Sequence, residues 1–493
     1  MKLFVVYILS IVCLLNSLCG CTKEKQSVTI NLEILSEFNE NKNFTVFSAV
    51  PPEPNAQALQ TYVEAGFTNY VLTEDWLTMT NADRQIGTKD DGAITQAYVD
   101  AINICKDMGL NVYVCNCRSD PDWFVNDYDG VRYMPEPWGY EYQLPKRNIT
   151  TEFSQMSGVT GYVMGDELGW KQIGGYEKLI DWYNEYGGNK TWHLNLLQSY
   201  GSWLFEDENG AMYDFQEYVD YYCATILEKI NGPKTISTDY YPLVSGGDAG
   251  DNYVLDGYLY DYFIIANKAK ELKELGHDVT TNFCVQSYER ATELQGYARK
   301  LTSKADIAFQ VNVAMAFGAS SLCYYTYCSF GEELGIFDTV SGLPSKIYPW
   351  VKQVNAEAHD LADVILNFNW QGAKVYAGAQ GGNTTDEYTT IAFDKVKDLT
   401  LDNFILLSSV TARLDTVVSE FKDLNGNVGY MVVNYSEPSK NLTDNVLLKF
   451  SQKTNKVLIC KNGEISVSSV NGNSASISLQ AGEGAFIYPI ISN

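Results

Sequence analysis

The sequence predicts an α/β chain with a (β/α)8 TIM barrel over residues 44–363 and an all-β sandwich over residues 364–493. Three observations lead there. Short apolar runs recur at 45–50, 68–73, 111–117, 160–165, 191–196, 235–238, 280–285 and 320–326, one for each strand of such a barrel. Segments with helical spacing separate them, for example at 93–108, 176–186, 215–229, 260–275 and 304–316. Beyond residue 365 the helical spacing stops, and strand-like runs joined by turn signals replace it.

In chain order, the first segment reads as an export signal. Lys2 is its basic start, and residues 3–15 are apolar but too short to span a bilayer comfortably. Leu18-Cys19-Gly20-Cys21 follows and resembles the bacterial lipobox, in which the last cysteine carries the lipid. The expectation is a signal peptide over 1–20, an acyl anchor on Cys21 and a polar tether over 21–43. That places the folded part outside the cytoplasm, held to the bilayer of the cell envelope.

The barrel units come next. Gly66, Gly109, Gly276 and Gly318 each stand between a helical segment and the following strand, where C-cap glycines belong. An open doubly wound sheet would carry a glycine-rich phosphate loop after its first strand. Val50-Pro51-Pro52-Glu53-Pro54 occupies that place, and proline removes the amides a phosphate needs. Residues 338–365 read as the last barrel helix and its approach. The sandwich strands are expected at 373–377, 389–393, 404–410, 414–421, 428–434, 446–450, 456–460, 474–479 and 484–488, with Asn425-Gly426 and Asn462-Gly463 as hairpin turns.

Charge and composition narrow the function. A net charge of −26 argues against nucleic acid and anionic membrane surfaces as partners. The 35 tyrosines suit a ligand that offers both apolar faces and hydroxyls, as sugars do, although many must be core. With no CxxC pair and only His193, His277 and His359, far apart in sequence, the chain offers little for a metal site or for Ser/His chemistry, so no metal or cofactor is expected.

The chemistry concentrates at the predicted strand ends, which form the active-site face of such a barrel. The fourth strand ends in Asp166 and Glu167, with Trp170 close behind. A carboxyl beside an apolar ring is where a general acid with a raised pKa is built. The competing reading has Asp166 capping the next turn and Glu167 pairing with a lysine. The sixth strand ends in Asp239-Tyr240-Tyr241-Pro242, where Asp239 is either a second carboxylate or a loop brace. Glu74 and Trp76 follow the second strand, Gln286 ends the seventh with Glu289 opening a helix behind it, and Tyr325 ends the eighth ahead of Glu332 and Glu333. Trp123, Trp138 and Trp203 lie in loops that suit sugar stacking.

Gly-Asp-Glu at 165–167, Asp-Tyr-Tyr-Pro at 239–242, Gln286-Ser287, and Ala316-Phe317-Gly318-Ala319 leading into Tyr324-Tyr325-Thr326-Tyr327 together resemble barrel glycoside hydrolases of the clan A type, β-galactosidase-like and near family 42. The resemblance implies a glycoside hydrolase acting on an oligo- or polysaccharide, with Glu167 as acid/base. Asp239 is the best second catalytic carboxylate. Glu74, Trp76, Asp166, Trp170, Tyr240, Tyr241, Gln286 and Tyr325 would line the sugar site. One departure stands out: the family carries its nucleophile as a glutamate at the end of the seventh strand, where this chain has Gln286. A non-catalytic glycan-binding lipoprotein is therefore the second expectation.

Overall fold

The computed structural model describes residues 44–72, 96–115, 131–133, 141–143, 151–245, 257–294, 297–299, 301–379 and 393–491. Cys21 and the rest of the expected signal and tether, and Glu74, Trp76, Trp123 and Trp138, lie outside the described residues.

Eight parallel strands form the barrel: β1 (Thr45–Ser48), β2 (Asn69–Leu72), β3 (Asn111–Cys115), β4 (Val159–Asp166), β5 (Thr191–Leu196), β6 (Lys234–Thr238), β7 (Val279–Gln286) and β8 (Ser321–Tyr325). They pair in the order β1-β8-β7-β6-β5-β4-β3-β2. The ring closes between β1 and the entry to β2: Thr68 N–H donates to the Val46 carbonyl at 2.9 Å, and Val46 N–H donates to Thr68 Oγ1 at 2.9 Å. The interior is filled with side chains. Phe47, Val71, Tyr113, Cys115, Cys284 and Cys323 pack together there, as inward-facing residues of successive strands should.

Helices α1 (Ala56–Glu64), α2 (Gln96–Asp107), α3 (Thr151–Gln155), α4 (Trp170–Gly175), α5 (Glu177–Tyr186), α6 (Phe215–Thr225), α7 (Tyr258–Glu274), α8 (Lys304–Ala316) and α9 (Tyr348–Ile365) follow the strands. Local chemistry fixes their starts. Asp214 and Glu217 form a capping box at α6, and Ser303 with Asp306 does the same at α8. Gly66 closes α1 with φ of +86°, and a Cβ there would meet Asn355 Cβ at 2.8 Å. Only glycine satisfies both the backbone and the contact.

The second part has strands β9 (Asn369–Tyr376), β10 (Leu407–Thr411), β11 (Thr416–Lys422), β12 (Val428–Asn434), β13 (Thr443–Phe450), β14 (Thr454–Lys461), β15 (Glu464–Ser469), β16 (Ser474–Gln480) and β17 (Gly484–Ile491). A six-stranded sheet, β9-β11-β12-β17-β14-β15, faces a three-stranded sheet, β10-β13-β16. Val418, Tyr430, Val432 and Ile487 of the first pack against Val446, Leu448, Phe450 and Ile477 of the second. This is a sandwich, and β13 shows the strict in–out alternation of a half-buried strand.

Two sequence expectations are corrected, and one strand is new. Glu289 opens a strand, not a helix: residues 289–294 pair with 297–299, and the apolar face a helix would need is absent. Phe393 begins a helical turn rather than ending a strand. β15 was not expected, because its exposed polar side chains carry no apolar alternation.

Candidate active site

β4 delivers two acids to the C-terminal mouth of the barrel. Its register against β5 shifts between Val163 and Gly165, and a bulge of this kind re-aims the side chains at a strand end. Glu167 follows with φ of +50°, a left-handed conformation that side-chain-bearing residues seldom adopt. Its N–H still reaches the Asn195 carbonyl, at 2.9 Å. Gly169, not Asp166, is the N-cap of α4, with Gln172 reaching back to the Gly169 N–H. The capping alternative for Asp166 is thereby removed.

Glu167 has no lysine partner among the described residues. Its carboxyl interacts with Asp239, from the end of β6, and with Gln198, just after β5, and Asp239 Oδ1 is buried without a hydrogen-bond partner among the described residues. Burial and the neighbouring Asp166 charge push it up to about 7, and Gln198 and Asp239 only partly oppose that rise. Asp239 is only 5% exposed. Burial, then Glu167 and then Asp166 hold it well above the usual carboxylate range, while Asn195 and the Tyr241 hydroxyl pull the other way. Two carboxyls in contact cannot both ionise at low cost, so near neutrality they hold a proton between them.

Asp166 keeps an exposed surface, yet the protein around it strips away part of its water. This surrounding lifts its pKa, and Asn195 Nδ2, donating at 3.1 Å to Oδ1, opposes the shift. Asn195 is the end of a polar chain through the barrel interior. Its Oδ1 accepts from Ser237 Oγ at 2.8 Å, and Ser237 Oγ accepts from Asn282 Nδ2 at 2.8 Å. Gln198 Oε1 is buried and has no hydrogen-bond partner among the described residues, an acceptor awaiting a donor.

Loops from three strands form one wall of the mouth. Val244–Ser245 after β6, Glu289–Leu294 and Tyr297–Arg299 after β7, and Glu333–Leu334 after β8 form a four-stranded antiparallel sheet. Arg290 pairs with the buried Glu333 within it, and the Tyr325 hydroxyl lies against Glu333. The rings of Tyr241, Tyr288 and Tyr325 meet with centroids 5.3–5.8 Å apart.

The remaining expected site residues divide. Tyr241 and Tyr325 are half-buried at the mouth. Tyr240 is core: it is 1% exposed, and its hydroxyl accepts from Gly257 N–H at 3.2 Å. Trp170 is stacked between Tyr213 and Tyr221, at 3.8 and 4.3 Å, with near-parallel rings that take both of its faces. Gln286 is fully buried and clamps Leu243, whose N–H donates to Oε1 at 3.0 Å and whose carbonyl accepts from Nε2 at 3.0 Å. Both ends of its amide are used, so it offers a sugar nothing. Glu289 is likewise engaged, with Lys346 and the Leu301 N–H.

His193 is a core residue. Burial lowers its pKa to about 4, and it packs against Phe47 and Tyr113. Asn195, Gln198, Ser237, Asn282 and Arg290 were not singled out from sequence. Alternate polar residues inside otherwise apolar barrel strands, His193 and Asn195 in β5 for instance, were the available signal.

Fold and site together define a (β/α)8 barrel with a carboxyl dyad at its C-terminal mouth. No protein-family model and no curated protein matches the chain. Solved structures of similar architecture include three glycosidases. The β-galactosidase of Marinomonas ef1 shares 10% identity at a TM-score of 0.44, over 65% of this chain and 60% of that one. The β-galactosidase of Bacillus circulans sp. alkalophilus shares 8% at 0.45, over 91% and 99%. A GH27 β-L-arabinopyranosidase of Geobacillus stearothermophilus shares 11% at 0.42, over 92% and 99%.

Proposed function

We propose that the protein is a glycoside hydrolase acting on a glycan outside the cytoplasm, anchored through Cys21. The observation that carries this reading is the placement of Asp166, Glu167 and Asp239 together at the C-terminal strand ends of the barrel, where burial and mutual repulsion raise the proton affinity of Glu167 and Asp239. In the reaction, Glu167 gives its proton to the glycosidic oxygen as the C–O bond breaks. Asp239, then the anion of the pair, attacks the anomeric carbon from the other side. Water, deprotonated by Glu167, releases the sugar from Asp239 in the second step. Retention needs the two carboxyls ~5–5.5 Å apart and inversion ~6.5–9.5 Å, so a sugar must part the pair before Asp239 can act as nucleophile, and the stereochemistry of the product decides between the routes.

The test is digestion of a glycan library with product analysis, run beside Glu167→Gln and Asp239→Asn. Both variants should fold and lose ~10²-fold or more of turnover. The anomer first released, read by NMR, should match that of the substrate. An inverted product would remove Asp239 as nucleophile, and undiminished turnover in Glu167→Gln would remove the whole assignment.

One observation favours a second reading. The end of β7 presents Gln286, locked onto Leu243, and no carboxylate. A glycan-binding protein on a hydrolase-like barrel would bind without releasing product, and any turnover dependent on Glu167 excludes it.

A further inference from the structure

Gln198, which contacts Glu167, is followed at once by a 3-10 turn, Ser199–Leu204. The turn is held from three sides. Asp261, fully buried at the start of α7, accepts the Ser199 N–H at 2.8 Å. Leu204 packs so closely on Gly169 that a Cβ there would lie 3.1 Å from the Leu204 carbonyl oxygen. Tyr218 joins the loops after β4 and β5, donating to the Leu168 carbonyl at 2.6 Å and accepting from Leu197 N–H at 3.4 Å. On this support stand two aromatic side chains, one on each side of a kink at Gly201: Tyr200, 41% exposed, and Trp203, 65% exposed.

Tyr200 rests edge-on against Tyr240, the residue after Asp239, with centroids 5.1 Å apart. No ring stacks on Trp203 among the described residues. Trp170, by contrast, has both faces covered. A tryptophan held out to solvent on a braced turn forgoes the stabilisation of burial. The braced backbone beneath it also means that little main-chain entropy is lost when something lands on it. A sugar ring fits such a surface, since it presents C–H groups to the indole face and hydroxyls to the surroundings.

Resting on the glycosidase reading above, we infer that Tyr200 and Trp203 form a sugar-stacking subsite beside the carboxyl pair, and that the substrate is a glycan chain extending past the cleaved bond along the β5 side. The protein is then built for an oligo- or polysaccharide, not for a disaccharide alone.

Affinity electrophoresis through gels containing β-galactan, arabinan, xylan or xyloglucan tests this, with Glu167→Gln as the parent so that the chains stay intact. At least one polysaccharide should retard the parent. Adding Trp203→Ala should weaken that binding about tenfold, and Trp203→Phe should restore most of it. Thermal melting should match the parent in both, since the side chain is exposed. Equal retardation of the parent and Trp203→Ala would overturn the subsite. So would a parent that no polysaccharide retards while the wild-type protein hydrolyses 4-nitrophenyl glycosides; the glycosidase reading would survive that result. Absence of both binding and hydrolysis would overturn the two together.

Discussion

At the level of single residues, the site depends on how one proton is held. Burial and then Asp166 raise Glu167, whereas Gln198 and Asp239 lower it. The alkaline limb of kcat/KM should therefore fall near pH 7, above which the general acid is lost. Asp166→Asn removes a repelling charge and should move that limb to lower pH. Gln198→Ala removes a hydrogen bond to the anion and should move it higher. Rate profiles of the two variants that shift together, or not at all, would refute this electrostatic account. The same shift makes a stability prediction. Between its ordinary 4.5 and about 7, Glu167 is protonated in the folded chain but ionised in the unfolded one. Its contribution is complete below pH 4.5 and disappears as pH rises through 7. Denaturation of Glu167→Gln across pH 4.5–8 should show a shallower loss of stability than the wild type. The acids themselves were visible in the sequence as a strand end followed by Asp and Glu. Their contact was not, since Glu167 and Asp239 come from strands two positions apart in the ring.

At the level of elements, the mouth is organised by strands that carry no clear pattern. The sheet formed by Val244–Ser245, Glu289–Leu294, Tyr297–Arg299 and Glu333–Leu334 joins three loops, and its members are two to six residues long. Pieces that short give no periodicity to read, and Glu289 was accordingly assigned to a helix. Most barrel strands were legible as short runs rich in apolar and β-branched residues, buried on both faces. Gln286 shows what the loop sheet and β7 need from the site. Its amide holds Leu243 by one donor and one acceptor. Replacing it with the glutamate expected in a clan A hydrolase removes the donor and sets a carboxylate against the Leu243 carbonyl. Gln286→Glu should therefore lose about 1–3 kcal/mol of stability and gain no activity. Higher turnover with unchanged melting would instead mean that the nucleophile position is latent in β7.

At the level of the whole molecule, the barrel and the sandwich share a core. Phe309 of α8 packs on Tyr435 at 5.3 Å, and Asn312 Nδ2 donates to the Gly482 carbonyl at 2.9 Å. Trp370, at the start of β9, is 7% exposed, lies 6.1 Å from Phe317 and donates Nε1–H to the Ala316 carbonyl at 3.0 Å. Those contacts end α8, the helix that feeds β8 and hence Tyr325. α8 is buried nearly all round, its outer face covered by the six-stranded sheet. A barrel without the sandwich would expose that face to water. The two parts should consequently unfold in a single transition by calorimetry, and the isolated barrel, residues 44–363, should aggregate or melt far below the full chain. Trp370→Ala is the sharper test because it leaves both parts present. It removes a buried indole and leaves a carbonyl unpaired, at a cost of about 3–5 kcal/mol. If the parts depend on each other, the variant lowers the melting temperature of the whole chain and keeps one transition. Two separated transitions, with the barrel melting at the wild-type temperature, would show that the sandwich is only a neighbour.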